Sequence, residues 1–283
     1  MPPSKAVLIT GCSSGIGHAT AQRLSADGWN VYATARRPEA ITDLEGAGCK
    51  TLGLDVTDEQ SMTAAVAQVA DAEGAVGVLI NNAGYSQSGA VESVAPEAVR
   101  RQFETNVFGL LRMCQLVLPG MRSRGWGKVV NIGSMGGRLV FPGGGIYHAT
   151  KYAIEALSDA LRFEVRGFGI DVILIEPGLI TTRFGEVASG SVDEGADGDT
   201  GPYADFNRHV AKVTSEAYAG PMAKLGGPPE KVAATIAHAL AAERPKARYQ
   251  VTPSAHLLIG QRRITPDRVW DLMMRAQFPT PKA

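Results

Sequence analysis

Cysteine is scarce in this chain. Cys12, Cys49 and Cys114 are odd in number, widely spaced and form no Cys-x-x-Cys, which excludes a disulfide framework and suits a reducing compartment. The five histidines show no metal-ligand spacing, so no metal site is expected. An excess of charge of one sign is also missing. The 28 Lys+Arg balance 28 Asp+Glu, and a net charge of zero supplies no basic field for nucleic acid or an anionic membrane. No apolar run approaches the ~20 residues of a membrane span. The opening Met1-Pro2-Pro3-Ser4-Lys5 leads straight into Ala6-Val7-Leu8-Ile9, without the apolar stretch of a signal peptide. A cytoplasmic location is expected.

What the chain does have is enough apolar content, 45% of 283 residues, to bury one sizeable core, and 1–283 reads as a single domain. Short β-branched runs alternate with longer Ala/Leu-periodic segments. Strands are predicted near 5–10, 29–35, 50–54, 77–81, 128–132, 170–175 and 248–252, and helices near 15–27, 58–73, 97–122, 146–167 and 229–242. Val78-Leu79-Ile80 and Val172-Ile173-Leu174-Ile175 are apolar at consecutive positions, as strands buried on both faces should be. The expected architecture is α/β: a doubly wound parallel sheet, or Rossmann fold, of about seven strands with helices on both faces. Two stretches break the rhythm. Residues 183–227, with an acidic, glycine-rich centre from Gly190 to Gly201, read as a substrate loop or lid; 253–283 reads as an extension with one short helix near 266–276.

Directly after the first strand comes Thr10-Gly11-Cys12-Ser13-Ser14-Gly15-Ile16-Gly17. In a doubly wound sheet this turn points helix amides at a pyrophosphate, and Gly11, Gly15 and Gly17 remove side chains from its path. The spacing, Gly-x-x-x-Gly-x-Gly, departs from the Gly-x-Gly-x-x-Gly fingerprint. The second strand ends in Ala35-Arg36-Arg37. An acidic residue there would accept from a ribose 2′-hydroxyl, whereas a small residue followed by Arg36 leaves room for the 2′-phosphate of NADP and offers it a forked donor, so NADP is expected over NAD. Arg37 can share that phosphate. Asp55, ending the third strand, either hydrogen-bonds the adenine or caps the helix near Asp58.

Tyr147 and Lys151 are four residues apart on a predicted helix and share one face. A phenol normally titrates near pH ~10, and a cation beside it favours the phenolate, so the pair reads as a general acid/base. His148 points elsewhere on that helix and reads as a packing residue.

Together these residues resemble the short-chain dehydrogenase/reductase family over residues 5 to about 182. The family's Thr-Gly-x-x-x-Gly-x-Gly is Thr10 to Gly17, its Asn-Asn-Ala-Gly is Asn81 to Gly84, and its helical Asn is Asn106. Its catalytic Ser is Ser134, its Tyr-x-x-x-Lys is Tyr147 to Lys151, and its Pro-Gly is Pro177-Gly178. The segment Arg244 to Tyr249 loosely resembles the branch containing hydroxysteroid and retinol dehydrogenases. The resemblance implies that Gly11, Ser13, Ser14, Gly15, Ile16, Gly17, Asn82, Ala83, Gly84, Pro177, Gly178 and one of Thr181 and Thr182 hold the cofactor, which supplies hydride. It implies that Tyr147 exchanges a proton with the substrate oxygen, Lys151 tunes it and holds the nicotinamide ribose, Ser134 hydrogen-bonds that oxygen, and Asn106 steadies a proton-relaying water.

Candidate pocket walls are Tyr85, Val140, Phe141, Ile180, Phe184 and Tyr218, which suit a lipophilic carbonyl or secondary alcohol such as a steroid, retinoid or other lipid-like molecule. No arginine or lysine is placed from sequence to receive a substrate anion. Two other readings share the fold: an isomerase or dehydratase of a nucleotide sugar, which the short tail disfavours, and a non-enzymatic NADP-sensing protein, which the intact Tyr/Lys pair disfavours. The predicted helices at 97–122 and 146–167 carry Leu110, Leu111, Leu116, Leu157, Leu161 and Phe163 on more than one face. In the family such helices pair across a two-fold axis, so a homodimer or homotetramer is expected.

Overall fold

In the computed structural model, residues 4–182, 185, 188, 190–191 and 201–281 are described. Seven strands, β1 (Ala6–Ile9), β2 (Asn30–Ala35), β3 (Lys50–Gly53), β4 (Val78–Asn81), β5 (Gly127–Ile132), β6 (Ile170–Pro177) and β7 (Arg248–Val251), form one sheet in the order β3-β2-β1-β4-β5-β6-β7. Every pairing is parallel, with Leu8 opposite Tyr32 on one side and Leu79 on the other. The helices are α1 (Gly15–Ala26), α2 (Asp43–Gly46), α3 (Glu59–Glu73), α4 (Pro96–Phe103), α5 (Gly109–Arg124), α6 (Gly145–Val165), α7 (Ala204–Ala219), α8 (Pro229–Ala241), α9 (Pro253–Ile264) and α10 (Asp267–Gln277).

Successive strand side chains point to opposite faces, so each strand feeds two cores. Val7, Ile9, Val31, Ile80, Val130 and Ile173 pack with Leu24 of α1 and Val232 and Ile236 of α8. Leu8, Leu79, Val129 and Leu174 pack with Val69 of α3, Met113 of α5 and Ile154 of α6. The chain places β2 and β3 on one side of β1, then returns to β4 on the other. That reversal opens a crevice beyond the C-terminal ends of β1 and β4, where ligands of such sheets bind.

Three segments differ from their sequence reading. The helix expected over 97–122 is α4, a π-helical turn from Glu104 to Phe108, and then α5. Within 183–227 the chain forms α7, which buries only Asn207 and Val210, too sparse an apolar face to register as periodicity. The C-terminal extension holds α9 as well as the expected α10. Their core, Leu139, Val210, Ala255, Ile259, Trp270, Met274 and Phe278, is assembled from distant segments. The centre of the expected lid, residues 192–200, lies outside the described residues, as does Phe184.

Candidate active site

The turn after β1 is built around groups that admit nothing larger than glycine. Gly11 and Gly15 have φ of +73° and +60°, a region natural to glycine. A Cβ on Gly11 would lie 2.9 Å from the Ala83 Cα, and one on Gly17 would lie 2.5 Å from both the Asn82 Nδ2 and the Gly11 carbonyl oxygen. Asn82 braces the turn, its amide donating to the carbonyls of Thr10 (2.9 Å) and Gly11 (2.8 Å), while the Thr10 hydroxyl accepts from the N–H groups of Asn82 and Ala83. Ser14 occupies the N-cap of α1 without a side-chain cap, so the first-turn amides are left to a ligand. The cradle therefore fits the pyrophosphate of a dinucleotide.

This turn forms one end of a cleft of about 1310 Å³, larger than the ~300–1,000 Å³ typical of a small-molecule pocket. Gly11, Ser13, Ser14, Gly15, Ile16, Asn82, Ala83 and Gly84 line it, with Ala35, Arg36, Leu54 and Asp55 beyond; Gly17 packs beneath. The Arg36 guanidinium is exposed, and among the described residues it has no hydrogen-bond or ion-pair partner. Arg37, the residue before a short 3₁₀ turn, does not line the cleft. The cap of α3 is Asp58, which accepts from the N–H groups of Gln60 and Ser61. Asp55 instead accepts from the N–H (2.9 Å) and hydroxyl (2.7 Å) of Thr57, an Asx turn that holds the loop at the cleft wall.

On the far side of the turn, Pro177 and Gly178 line the cleft where β6 ends. Their position is fixed by a pair that sequence reading missed. The Ser254 hydroxyl accepts from Leu179 N–H (2.9 Å) and contacts Thr252 Oγ1 (2.9 Å), and Thr252 has a φ of +83°. Of the two threonines left open, Thr182 lines the cleft and packs 3.1 Å from where a Gly15 Cβ would stand. Thr181 is exposed, outside the cleft, with its N–H on the Gly227 carbonyl (2.9 Å).

Tyr147 and Lys151 rise on consecutive turns of α6, with Ser134 at the end of β5 facing them, and all three line the cleft. The Lys151 ammonium donates to the Ile132 carbonyl (2.8 Å) and sits 5.8 Å from the Tyr147 ring centroid. The expected lowering of the phenol's pKa is not what this arrangement gives. Burial pushes Tyr147 above its ordinary value, a hydrogen bond with Ser134 acts in the opposite direction, and Tyr218 adds to the rise. Burial likewise brings Lys151 down to about 8, against the pull of Glu155. For Tyr147, desolvation outweighs the hydrogen bond with Ser134.

Asn106 lies behind this group, not in the cleft wall. Its Oδ1 accepts from Tyr85 N–H (3.1 Å), and its Nδ2 donates to the Tyr85 carbonyl (2.9 Å) and to Thr150 Oγ1 (3.1 Å). Since Thr150 in turn donates to the Tyr147 carbonyl (2.7 Å), Asn106 ties the loop following β4 to the turn that carries the phenol. His148 fastens a loop. Its Nε2 accepts from Phe141 N–H (3.2 Å), so Nδ1 carries the proton and donates to the Gly136 carbonyl (2.9 Å), and burial lowers its pKa.

Of the expected pocket walls, Tyr85, Phe141, Ile180 and Tyr218 line the cleft; Val140 is turned outward and 42% exposed. Val210 and Val213 of α7, Leu258 of α9 and Phe278 after α10 complete the far wall. Two arginines, Arg100 and Arg101, also reach the cleft from α4, which sequence reading had not placed there. Among the described residues there is no cluster of side chains suited to a metal ion, and no helix is long and apolar enough to cross a membrane.

A glycine cradle at the switch point of a parallel sheet, opening onto a Ser, Tyr and Lys at one cleft wall, defines a dinucleotide-dependent dehydrogenase. The short chain dehydrogenase model matches residues 5–190. The chain is 38% identical over 272 residues to the 3-ketodihydrosphingosine reductase of Bacteroides thetaiotaomicron, covering 95% of this chain and 96% of that one. It is 34% identical to the NADPH-dependent 3-dehydrocapnine reductase of Ornithobacterium rhinotracheale, covering 93% and 94%. It is 38% identical to human 17-beta-hydroxysteroid dehydrogenase type 1, covering 87% and 77%. Among solved structures, a short-chain dehydrogenase from Streptomyces avermitilis superposes with a TM-score of 0.79 at 35% identity, covering 96% of each chain. The chain belongs to the short-chain dehydrogenase/reductase family and is an oxidoreductase of that family, built for a nicotinamide cofactor.

Proposed function

We propose that this enzyme interconverts a lipophilic secondary alcohol and its ketone, with NADP(H) preferred over NAD(H). The observation that carries the reading is the meeting, in one cleft, of Ser134, Tyr147 and Lys151 with an apolar far wall of Phe141, Val213, Leu258 and Phe278. When bound, the nicotinamide supplies or accepts the hydride. Tyr147 gives its phenolic proton to the developing alkoxide in reduction and takes it back in oxidation. Its raised pKa suits the donor role, since the group holds its proton until the substrate oxygen demands it. Ser134 donates to the same oxygen and fixes the carbonyl against Tyr147. Lys151 would hold the nicotinamide ribose, Asn106 fixes the backbone around Tyr85 and Tyr147, and Thr182 would take the carboxamide.

Arg36 lines the cleft beside the small Ala35 and has no competing partner among the described residues, which supports NADP(H). Relatives named for the reduction of a 3-ketodihydrosphingosine and a 3-dehydrocapnine, lipid-like carbonyl compounds, support the substrate class. We read 1–283 as one domain in which α7, α9 and α10 form the substrate wall. The buried, free Cys12, Cys49 and Cys114 support a reducing, cytoplasmic setting. Leu110 is buried in the core, but Phe108 on the π turn and Tyr152 and Phe163 on α6 stand exposed, which supports a homodimer or homotetramer through these helices.

The test is loss of NADPH absorbance across ketones of increasing chain length, with NADH as control. Turnover of medium- and long-chain ketones with NADPH is expected. Inertness toward every carbonyl with both cofactors would overturn the reading.

A further inference from the structure

Four of the eleven large apolar side chains that stand exposed among the described residues fall on the two C-terminal helices: Leu257 (55%), Ile264 (82%), Val269 (47%) and Leu272 (62%). Leu257 and Ile264 are seven residues apart, and Val269 and Leu272 three, so each pair forms a stripe along its helix. Neither stripe serves the core. The opposite faces, with Ala255 and Ile259 on α9 and Trp270 and Met274 on α10, already bury against Leu139 and Val210. The helices therefore carry a second apolar face with no partner among the described residues.

Basic side chains flank this face. Residues 253–281 hold four arginines (262, 263, 268, 275) against two aspartates (267, 271), or 4 − 2 = +2, in a chain whose net charge is zero. Arg262 is taken up by Asp267 (2.6 Å) and the Trp270 ring. Arg263 beside Ile264, Arg268 beside Val269, and Arg275 are exposed and have no ion-pair partner among the described residues. A two-fold contact between copies would bring like charge toward like charge. An anionic lipid surface matches both features, taking the apolar stripe into the acyl boundary while the arginines meet the headgroups.

The same two helices border the cleft. Leu258, next to Leu257, lines the cleft wall, as do Gln277 and Phe278 at the end of α10. Met222, 41% exposed, also lines the cleft and lies on the turn Pro221–Leu225, which packs against α9.

We propose that α9 and α10 dock peripherally on an anionic lipid bilayer, placing the mouth of the cleft at the membrane surface. The consequence depends on the proposed lipophilic substrate: such a molecule could pass from acyl chains to the apolar wall without crossing water. The docking itself does not depend on substrate.

The test uses the full chain with sedimenting vesicles of phosphatidylcholine alone or mixed with phosphatidylglycerol. Binding to the mixed vesicles is expected to be about tenfold or more tighter than to neutral ones and to weaken with salt. Ile264→Ser combined with Leu272→Ser, both outside the cleft wall, should lower vesicle binding by about tenfold or more. Arg263→Gln combined with Arg268→Gln should remove most of the preference for anionic lipid. Turnover of a short, water-soluble ketone should be unchanged in both variants, which separates failed docking from failed catalysis. Absence of wild-type binding, or apolar variants that bind as wild type does, would overturn the proposal. So would a wild-type oligomer that the Ile264/Leu272 variant dissociates, which would assign the face to a second copy of the chain.

Discussion

Gly17 and Asn82 meet beneath the cofactor turn with no space between them for a methyl group: a Cβ on Gly17 would stand 2.5 Å from the Asn82 amide nitrogen. That amide holds the Thr10 and Gly11 carbonyls. The first helix of the sheet and the strand end beside it are thus locked through one side chain.

Gly17→Ala should force Asn82 off the turn. Overpacking of this kind costs roughly 1–3 kcal/mol, and the cradle should lose its shape. Thermal denaturation should show a lowered Tm and titration with NADPH an affinity reduced by about tenfold or more. A variant with wild-type Tm and affinity would show that the turn yields.

Tyr147→Phe keeps the ring and removes the transferable proton, so turnover on a verified ketone should fall by roughly a hundredfold or more, with cofactor affinity nearly unchanged. Near-normal turnover would remove Tyr147 from the proton-transfer role.

Arg36→Ala tests the cofactor preference. A hydrogen bond to a charged group contributes roughly 1.5–3 kcal/mol, so NADPH binding should weaken by about one to two powers of ten while NADH binding barely moves. Ala35→Asp should push the preference further toward NADH through repulsion of the phosphate. A wild-type protein that prefers NADH would contradict the assignment of Arg36.

A buried carboxylate pair makes the stability of the fold depend on pH. Glu155 on α6 and Glu176 on β6 share Arg138 and Arg248, with Arg248 Nε 3.0 Å from Glu155 and 3.5 Å from Glu176. Burial and the neighbouring Glu176 raise Glu155 from 4.5 to about 7. Between those values the native state keeps a proton that the unfolded chain has lost, so stability falls as pH rises through that window. Tm should decline from about pH 5 to about pH 8, and Glu155→Gln should flatten that decline. An unchanged slope in the variant would mean that the pair does not share a proton.

The seven strands were legible because buried parallel strands are continuous apolar runs, and Val172 to Ile175 announces itself without any knowledge of its neighbours. The cofactor turn was legible for the same local reason, since Gly11, Gly15 and Gly17 lie within one loop. The far wall was not. Val213 and Leu258 come from two helices and Phe278 from the end of a third, and their common surface exists only once the chain has folded. Nothing in Tyr-x-x-x-Lys discloses burial either, so the direction in which Tyr147 shifts could not be read from the spacing. The serine that steadies Pro177-Gly178, Ser254, is 76 positions from the glycine whose corner it fills and carries no motif.

The π turn from Glu104 to Phe108 sets a limit on redesigning this scaffold. Each α-helical residue advances about 100° around the axis, and a π turn absorbs one residue more than an α turn. Deleting a residue there to make a straight, regular helix would swing everything on one side of the deletion through that angle relative to the other. Either Asn106 would leave Tyr85 and Thr150, or Met113 and Val117 would leave the core. A protein engineer grafting this site onto an idealised backbone would have to carry the irregularity along with the residues it serves.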